Sequence, residues 1–162
     1  MAHCVYSGKE EADLIRRNGV FVAHSPESNV NLSSGVAPVS RYLDDGLNVG
    51  LASDVAGGSN ENLFWAMIMA IQSSKLRWRL LDSSIPALTF ERAFYAATMG
   101  GGAFFGKVGT FAPGYEADLL VLDDSSLDHP QPLTVRERLE RYIYLSESKN
   151  IYAKFVRGRK IL

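Results

Sequence analysis

The sequence has few residues that could form disulfides or thiolate metal sites, and it has no long apolar run. Cys4 is the one cysteine, which excludes an internal disulfide and a Cys-x-x-Cys zinc motif and suits a reducing compartment such as the cytoplasm. No apolar run approaches the roughly 20 residues that span a bilayer. The first residues also lack the pattern of a signal peptide, so we expect no membrane partner.

Positive charge is not in excess either. Seventeen Lys and Arg face 18 Asp and Glu, a formal net charge of -1 that implies no broad basic field for nucleic acid. Histidine is scarce, with only His3, His24 and His129 available for imidazole chemistry. The length of 162 residues fits about one domain.

Residues 1–105 alternate between short apolar runs and helical patterns. Fully apolar strands separated by helices are typical of a parallel sheet covered by helices. Polar and Pro-rich residues predict a loop over 25–35. The predicted strands are 2–5, 20–24 and 48–53, too few to close a barrel. Helices are predicted after the Ser7–Glu10 capping-box spacing, between Val36 and Leu43, along the apolar stripe from Leu63 to Ile71, and from Thr89 to the glycines near 100–102.

The composition changes at Gly106, and residues 106–162 read as a small β region. A strand is predicted over 117–123, and the capping-box spacing of Thr134 and Glu137 predicts a helix that runs to Tyr144. The end of the chain predicts two strands about a turn at Arg157–Gly158.

Three polar residues lie at or near the carboxyl ends of the predicted parallel strands, where ligands gather in α/β folds: His3, His24 and Asp54. They could bind zinc or transfer protons. Each also has a purely structural interpretation. A histidine there can be a hydrogen-bonded core residue, and Asp54, which we expect to be a costly buried carboxylate, can cap the next helix. Ser28, Asn29 and Asn31 could line a pocket or form turns.

Three segments together resemble a known family. They are Ala2-His3-Cys4-Val5, Ala23-His24-Ser25-Pro26-Glu27-Ser28-Asn29 and Gly50-Leu51-Ala52-Ser53-Asp54-Val55. The chain resembles the amidohydrolase superfamily, and within it the aminohydrolases that deaminate purines and pyrimidines. The segment from Asp54 to Gly58, and Tyr142–Leu145 before Asn150, are most similar to the guanine deaminases.

This resemblance implies a fold and a set of roles. Residues 1–105 would be the last three β/α units of a metal-dependent-hydrolase (β/α)8 barrel, and 106–162 the C-terminal part of a small β-sandwich. Asp54 would be a ligand of the catalytic zinc and would accept a proton from the attacking water. His3 would polarise the attacked centre or orient the water, while His24 would be structural or line the pocket. The implied substrate is a purine base, and the implied setting is purine catabolism.

The sequence also departs from this family. The resemblance requires a His-x-His pair, a further histidine and a glutamate, and none of them can be placed here. We therefore expect a fragment that is inactive alone. Two alternatives remain: a deaminase or hydrolase of another ring (cytosine, an adenine derivative or a triazine), or a non-catalytic module that associates with itself through open strand edges. A homo-oligomer is expected.

Overall fold

The chain forms a mixed α/β structure, as the alternating sequence pattern predicts. A computed structural model describes residues 1–162. The helices are α1 Lys9–Arg17, α2 Pro26–Asn31, α3 Val39–Asp44, α4 Leu63–Leu80, α5 Phe90–Tyr95 with a π-helical turn Ala96–Gly100, and α6 Val135–Leu145. The strands are β1 Phe21–His24, β2 Asn48–Leu51, β3 Leu119–Leu122, β4 Ile151–Val156, which follows a 3-10 turn at Ser148–Asn150, and β5 Arg159–Lys160.

Strands β1 and β2 are parallel, with Phe21 opposite Asn48 and His24 opposite Leu51. A third parallel segment is much shorter than predicted. Only Ala2 bridges to β1, although the backbone N–H of His3 still donates to the Ala23 carbonyl at 2.9 Å. The predicted strand over 2–5 is therefore wrong beyond Ala2. The reason is that His3 and Cys4 adopt left-handed φ angles of 64° and 50°, which turn the chain away from the sheet.

The segment after β1 also differs from the predicted loop over 25–35, because Pro26–Asn31 forms helix α2. Pro26 occupies the first turn, where its fixed φ favours a helix and its missing N–H costs nothing. This short helix brings a row of polar side chains close to the residues that follow β2.

Helices α5 and α6 begin at the capping residues that the sequence predicts. Thr89 caps α5 by accepting from the backbone N–H of Arg92, and Thr134 forms the predicted capping box with Glu137. The capping box predicted for α1 is wrong, because Gly8 is its N-cap and no side chain accepts there. None of the helices combines the length and the apolar character that crossing a bilayer requires.

The core lies between the parallel sheet and helices α1, α3, α4 and α5, with Val22, Val49 and Met67 almost fully buried. Tyr42 of α3 is also buried in it, and its hydroxyl donates to the Cys4 carbonyl at 2.6 Å. This hydrogen bond fixes the segment that carries His3 against the core.

Strands β3, β4 and β5 form a separate antiparallel sheet, with Val121 opposite Ala153. Helix α6 connects this part to the rest, because the rings of Tyr142 and Phe64 of α4 meet edge to face with centroids 5.4 Å apart. The division of the chain into two domains at 105/106 stays a prediction. That the parallel sheet belongs to a barrel and the antiparallel sheet to a β-sandwich also stays a prediction.

Candidate functional site

The structure brings His3 and Asp54 together at the carboxyl ends of the parallel segments. His3 Nε2 lies 3.8 Å from Asp54 Oδ2, and about two fifths of each side chain is exposed. No hydrogen bond reaches either carboxylate oxygen of Asp54, so both are free to bind a ligand.

Two sequence expectations for Asp54 are wrong. Its carboxylate is not buried, since 42% of the side chain is exposed. It does not cap the next helix either, because α4 is capped by Asn62, whose side chain accepts from the backbone N–H of Phe64 at 2.9 Å. A free carboxylate at this point has no structural task of its own in the chain.

Backbone strain is concentrated at the same place. His3, Cys4 and Asp54 are three of the five non-glycine residues with a left-handed φ, and Asp54 has a φ of 52°. Side chains disfavour this region, and residues held there cluster at functional sites. The left-handed backbone at His3 and Asp54 brings these two residues to positions that an extended strand would not give them.

His24 is buried beside this pair, at the end of β1. Only 2% of it is exposed, and neither ring nitrogen has a hydrogen-bond partner. Burial, with a smaller contribution from the charge of His3, lowers the pKa of His24 to about 4. Its ring is therefore neutral at neutral pH, and the interpretation of His24 as a hydrogen-bonded core residue is wrong.

Asn29 of α2 contacts His3 directly. Its Oδ1 lies 2.8 Å from His3 Nδ1, and the residue is 2% exposed. Asn31 donates from Nδ2 to the Gly57 carbonyl at 2.8 Å. Neither side chain forms a local turn, so the turn interpretation of these residues is wrong, and Asn29 belongs to the site.

Helix α2 also holds the loop that follows Asp54. The Glu27 carboxylate accepts from the Ser59 hydroxyl and from the backbone N–H of Asn60. Burial alone would raise the pKa of Glu27, but hydrogen bonds, among them those from Ser59 and Trp65, lower it. Sequence reasoning missed Glu27, because partners 32 residues away leave no local signal.

Gly57 keeps open the space in front of Asp54. A Cβ built on it would lie 2.7 Å from Ser28 Oγ and 2.9 Å from Asp54 Oδ2. The free carboxylate in this space is a ligand type that zinc accepts, so Asp54 fits one position of a zinc site. No group of three His, Cys, Asp or Glu side chains in the chain is arranged to hold a metal ion.

The chain as a whole is similar to known proteins. The model of the amidohydrolase family matches residues 1–161. This chain belongs to the amidohydrolase family. It is similar to guanine deaminase of Dictyostelium discoideum, with 32% identity over 99% of this chain and 37% of that protein.

Two solved structures are also similar to this chain. Guanine deaminase from C. acetobutylicum, with bound guanine in its active site, has a TM-score of 0.93 and 48% identity over 100% of this chain and 38% of that one. An adenosine deaminase from Xanthomonas campestris with bound zinc has a TM-score of 0.82 and 25% identity over 99% and 36%. The chain thus spans less than two fifths of the length of these proteins.

Proposed function

We propose that this chain supplies Asp54 and His3 to the active site of a zinc-dependent guanine deaminase. The observation that carries the proposal is the free Asp54 carboxylate 3.8 Å from His3 Nε2, in a chain 48% identical to a guanine deaminase that holds guanine. The proposed reaction adds water to the ring carbon that bears the amino group. The bond from that carbon to nitrogen then breaks, which gives xanthine and ammonia.

Asp54 and His3 would have different tasks in this reaction. The carboxylate of Asp54 would hold the metal through one oxygen and accept a proton from the attacking water. His3, with Nε2 facing the same space, would orient that water or polarise the attacked carbon. When bound, zinc supplies a Lewis acid that makes water nucleophilic at neutral pH.

The support for zinc comes from the donor chemistry and from the relatives. An oxygen ligand is available in a space that Gly57 keeps open, and the adenosine deaminase with a TM-score of 0.82 holds zinc. The remaining ligands would come from elements outside this chain, in a longer polypeptide or a second chain. We use "assembled enzyme" below for this chain together with those elements.

We propose the cytoplasm as its compartment and purine catabolism as its setting. The single cysteine supports the first and the guanine deaminase relatives the second. A homo-oligomer is proposed as well, and sedimentation of the assembled enzyme would test it.

A second candidate is deamination of an adenine-type ring, which the similarity to the adenosine deaminase favours. The substrate test is ammonia release by the assembled enzyme from guanine, adenosine and cytosine at equal concentrations. We expect guanine to be turned over fastest. Preferential turnover of adenosine would support the second candidate, and no turnover of any of them would contradict both.

A further inference from the structure

The imidazole of His3 has one direct hydrogen-bond partner, and that partner fixes where its proton sits. The amide oxygen of Asn29 lies 2.8 Å from Nδ1. In this orientation of the Asn29 amide its oxygen faces Nδ1 and only accepts, so Nδ1 carries the proton, and in a neutral ring Nε2 then carries the lone pair. We infer that Asn29 is a positioning residue that holds His3 as the Nδ1–H tautomer and directs the Nε2 lone pair toward the space in front of Asp54.

This tautomer decides between the two roles left open for His3. Its Nε2 lone pair and the Asp54 carboxylate face each other across 3.8 Å, a pair of acceptors without a donor between them. A water O–H between them satisfies the His3 acceptor and places the water oxygen beside Asp54. In its neutral form the His3 ring therefore orients the water and does not donate a proton to the ring under attack.

Helix α2 fixes both sides of this space at once. Asn29 holds His3, while Asn31 donates to the Gly57 carbonyl and Glu27 binds Ser59 in the loop after Asp54. A movement of α2 would displace His3 and Asp54 together. The helix thus sets the separation between the acceptor and the carboxylate.

The burial of Asn29 argues for a function other than stability. Its Nδ2 amide group is buried without any hydrogen-bond partner, and an unpaired buried donor is destabilising. An apolar side chain of similar size would avoid that penalty. The one hydrogen bond that the Asn29 side chain makes is the contact with His3.

The test is imidazole nitrogen NMR of the 15N-histidine-labelled 162-residue chain at a pH where His3 is neutral. With only three histidines, His24→Leu and His129→Gln assign the signals. We expect the wild-type His3 spectrum to show a protonated Nδ1 and an unprotonated Nε2. Asn29→Leu should shift it toward the Nε2–H tautomer that free histidine favours, whereas Asn29→Asp, which keeps the acceptor, should restore Nδ1–H.

Asn31→Leu on the same helix is the matched control, and it should leave the His3 signals unchanged. A wild-type chain with Nε2–H on His3 would overturn the inference, even if Asn29→Leu did not fold. An unchanged tautomer in folded Asn29→Leu would overturn it as well. The use of this tautomer in catalysis rests on the proposed function, but the tautomer itself does not: a Nδ1–H result without guanine turnover would contradict only the proposed function.

Discussion

Gly57 faces the carboxylate of Asp54, and the absence of its side chain leaves that carboxylate free. A Cβ at this position would lie 2.9 Å from Asp54 Oδ2 and 2.7 Å from Ser28 Oγ. Both distances are shorter than ordinary contacts between carbon and oxygen. The small residue is therefore part of the site, although it contributes no chemical group.

Gly57→Ala should impair catalysis more than folding. The added methyl group must push aside the Asp54 carboxylate or Ser28, and a displacement of about 1 Å can lower a rate roughly 100-fold. We expect kcat of the assembled enzyme for guanine to fall at least about tenfold, with the urea midpoint little changed. Ala56→Ser, on the exposed neighbouring residue, is the control and should keep full activity. Wild-type kcat in Gly57→Ala would contradict this view of the site.

The close contact between β2 and the π-helical turn after α5 predicts a difference between two glycines. A Cβ on Gly50 would lie 2.8 Å from the Gly101 Cα, but one on Gly101 meets nothing closer than 3.2 Å. Gly50→Ala should therefore destabilise the chain by about 1–3 kcal/mol. Gly101→Ala gains helix propensity and should change stability by less than about 1 kcal/mol. Urea unfolding of both variants tests this, and equal effects would contradict the packing.

His24 should make stability depend on pH. Because its folded pKa of about 4 lies below the usual 6.5, the unfolded chain binds a proton between these values that the folded chain does not. The stabilisation is complete above pH 6.5 and is lost as the pH falls toward 4, by up to about 3 kcal/mol. Urea unfolding across this range should show a shallower pH dependence in His24→Leu.

His129→Gln is the control for this experiment, because His129 is exposed. It should keep the pH dependence of the wild-type chain. If His24→Leu keeps it too, the neutral buried state assigned to His24 is wrong.

The contact between Phe64 and Tyr142 should couple α4 to α6. An edge-to-face pair of aromatic rings contributes about 0.5–1.5 kcal/mol beyond the area it buries. A double-mutant cycle with Phe64→Leu and Tyr142→Leu should therefore give a coupling energy of this size in urea unfolding. A coupling energy near zero would show that the part after residue 105 is not held to α4 by this pair.

Most helices and strands could be predicted from sequence because their signals are local. The apolar stripe predicted α4, and capping residues such as Thr89 and Thr134 marked helix starts. Helix α2 was missed because Ser, Asn and Pro favour loops, while its side chains form hydrogen bonds with residues far along the chain. Asn31, for example, bonds Gly57, 26 residues away.

The site was only partly predictable for the same reason. Strand ends pointed to His3, His24 and Asp54, since parallel strands bring their carboxyl ends together. The sequence could not show that His3 leaves the strand at a φ of 64°, or that Asn29 reaches its ring. These features depend on the tertiary contacts of α2 and on the core hydrogen bond from Tyr42.

The most direct test of the proposed site is guanine turnover and zinc content in the assembled enzyme carrying Asp54→Asn. Removal of a residue that hydrogen-bonds to a metal ligand lowers metal affinity or activity roughly 10–100-fold. Loss of the ligand itself should therefore lower kcat by more than about 100-fold and reduce the amount of bound zinc. Asp45→Asn, an exposed aspartate at the end of α3, should match wild type in both. Wild-type turnover and full zinc content in Asp54→Asn would contradict the assignment of Asp54 to the catalytic site.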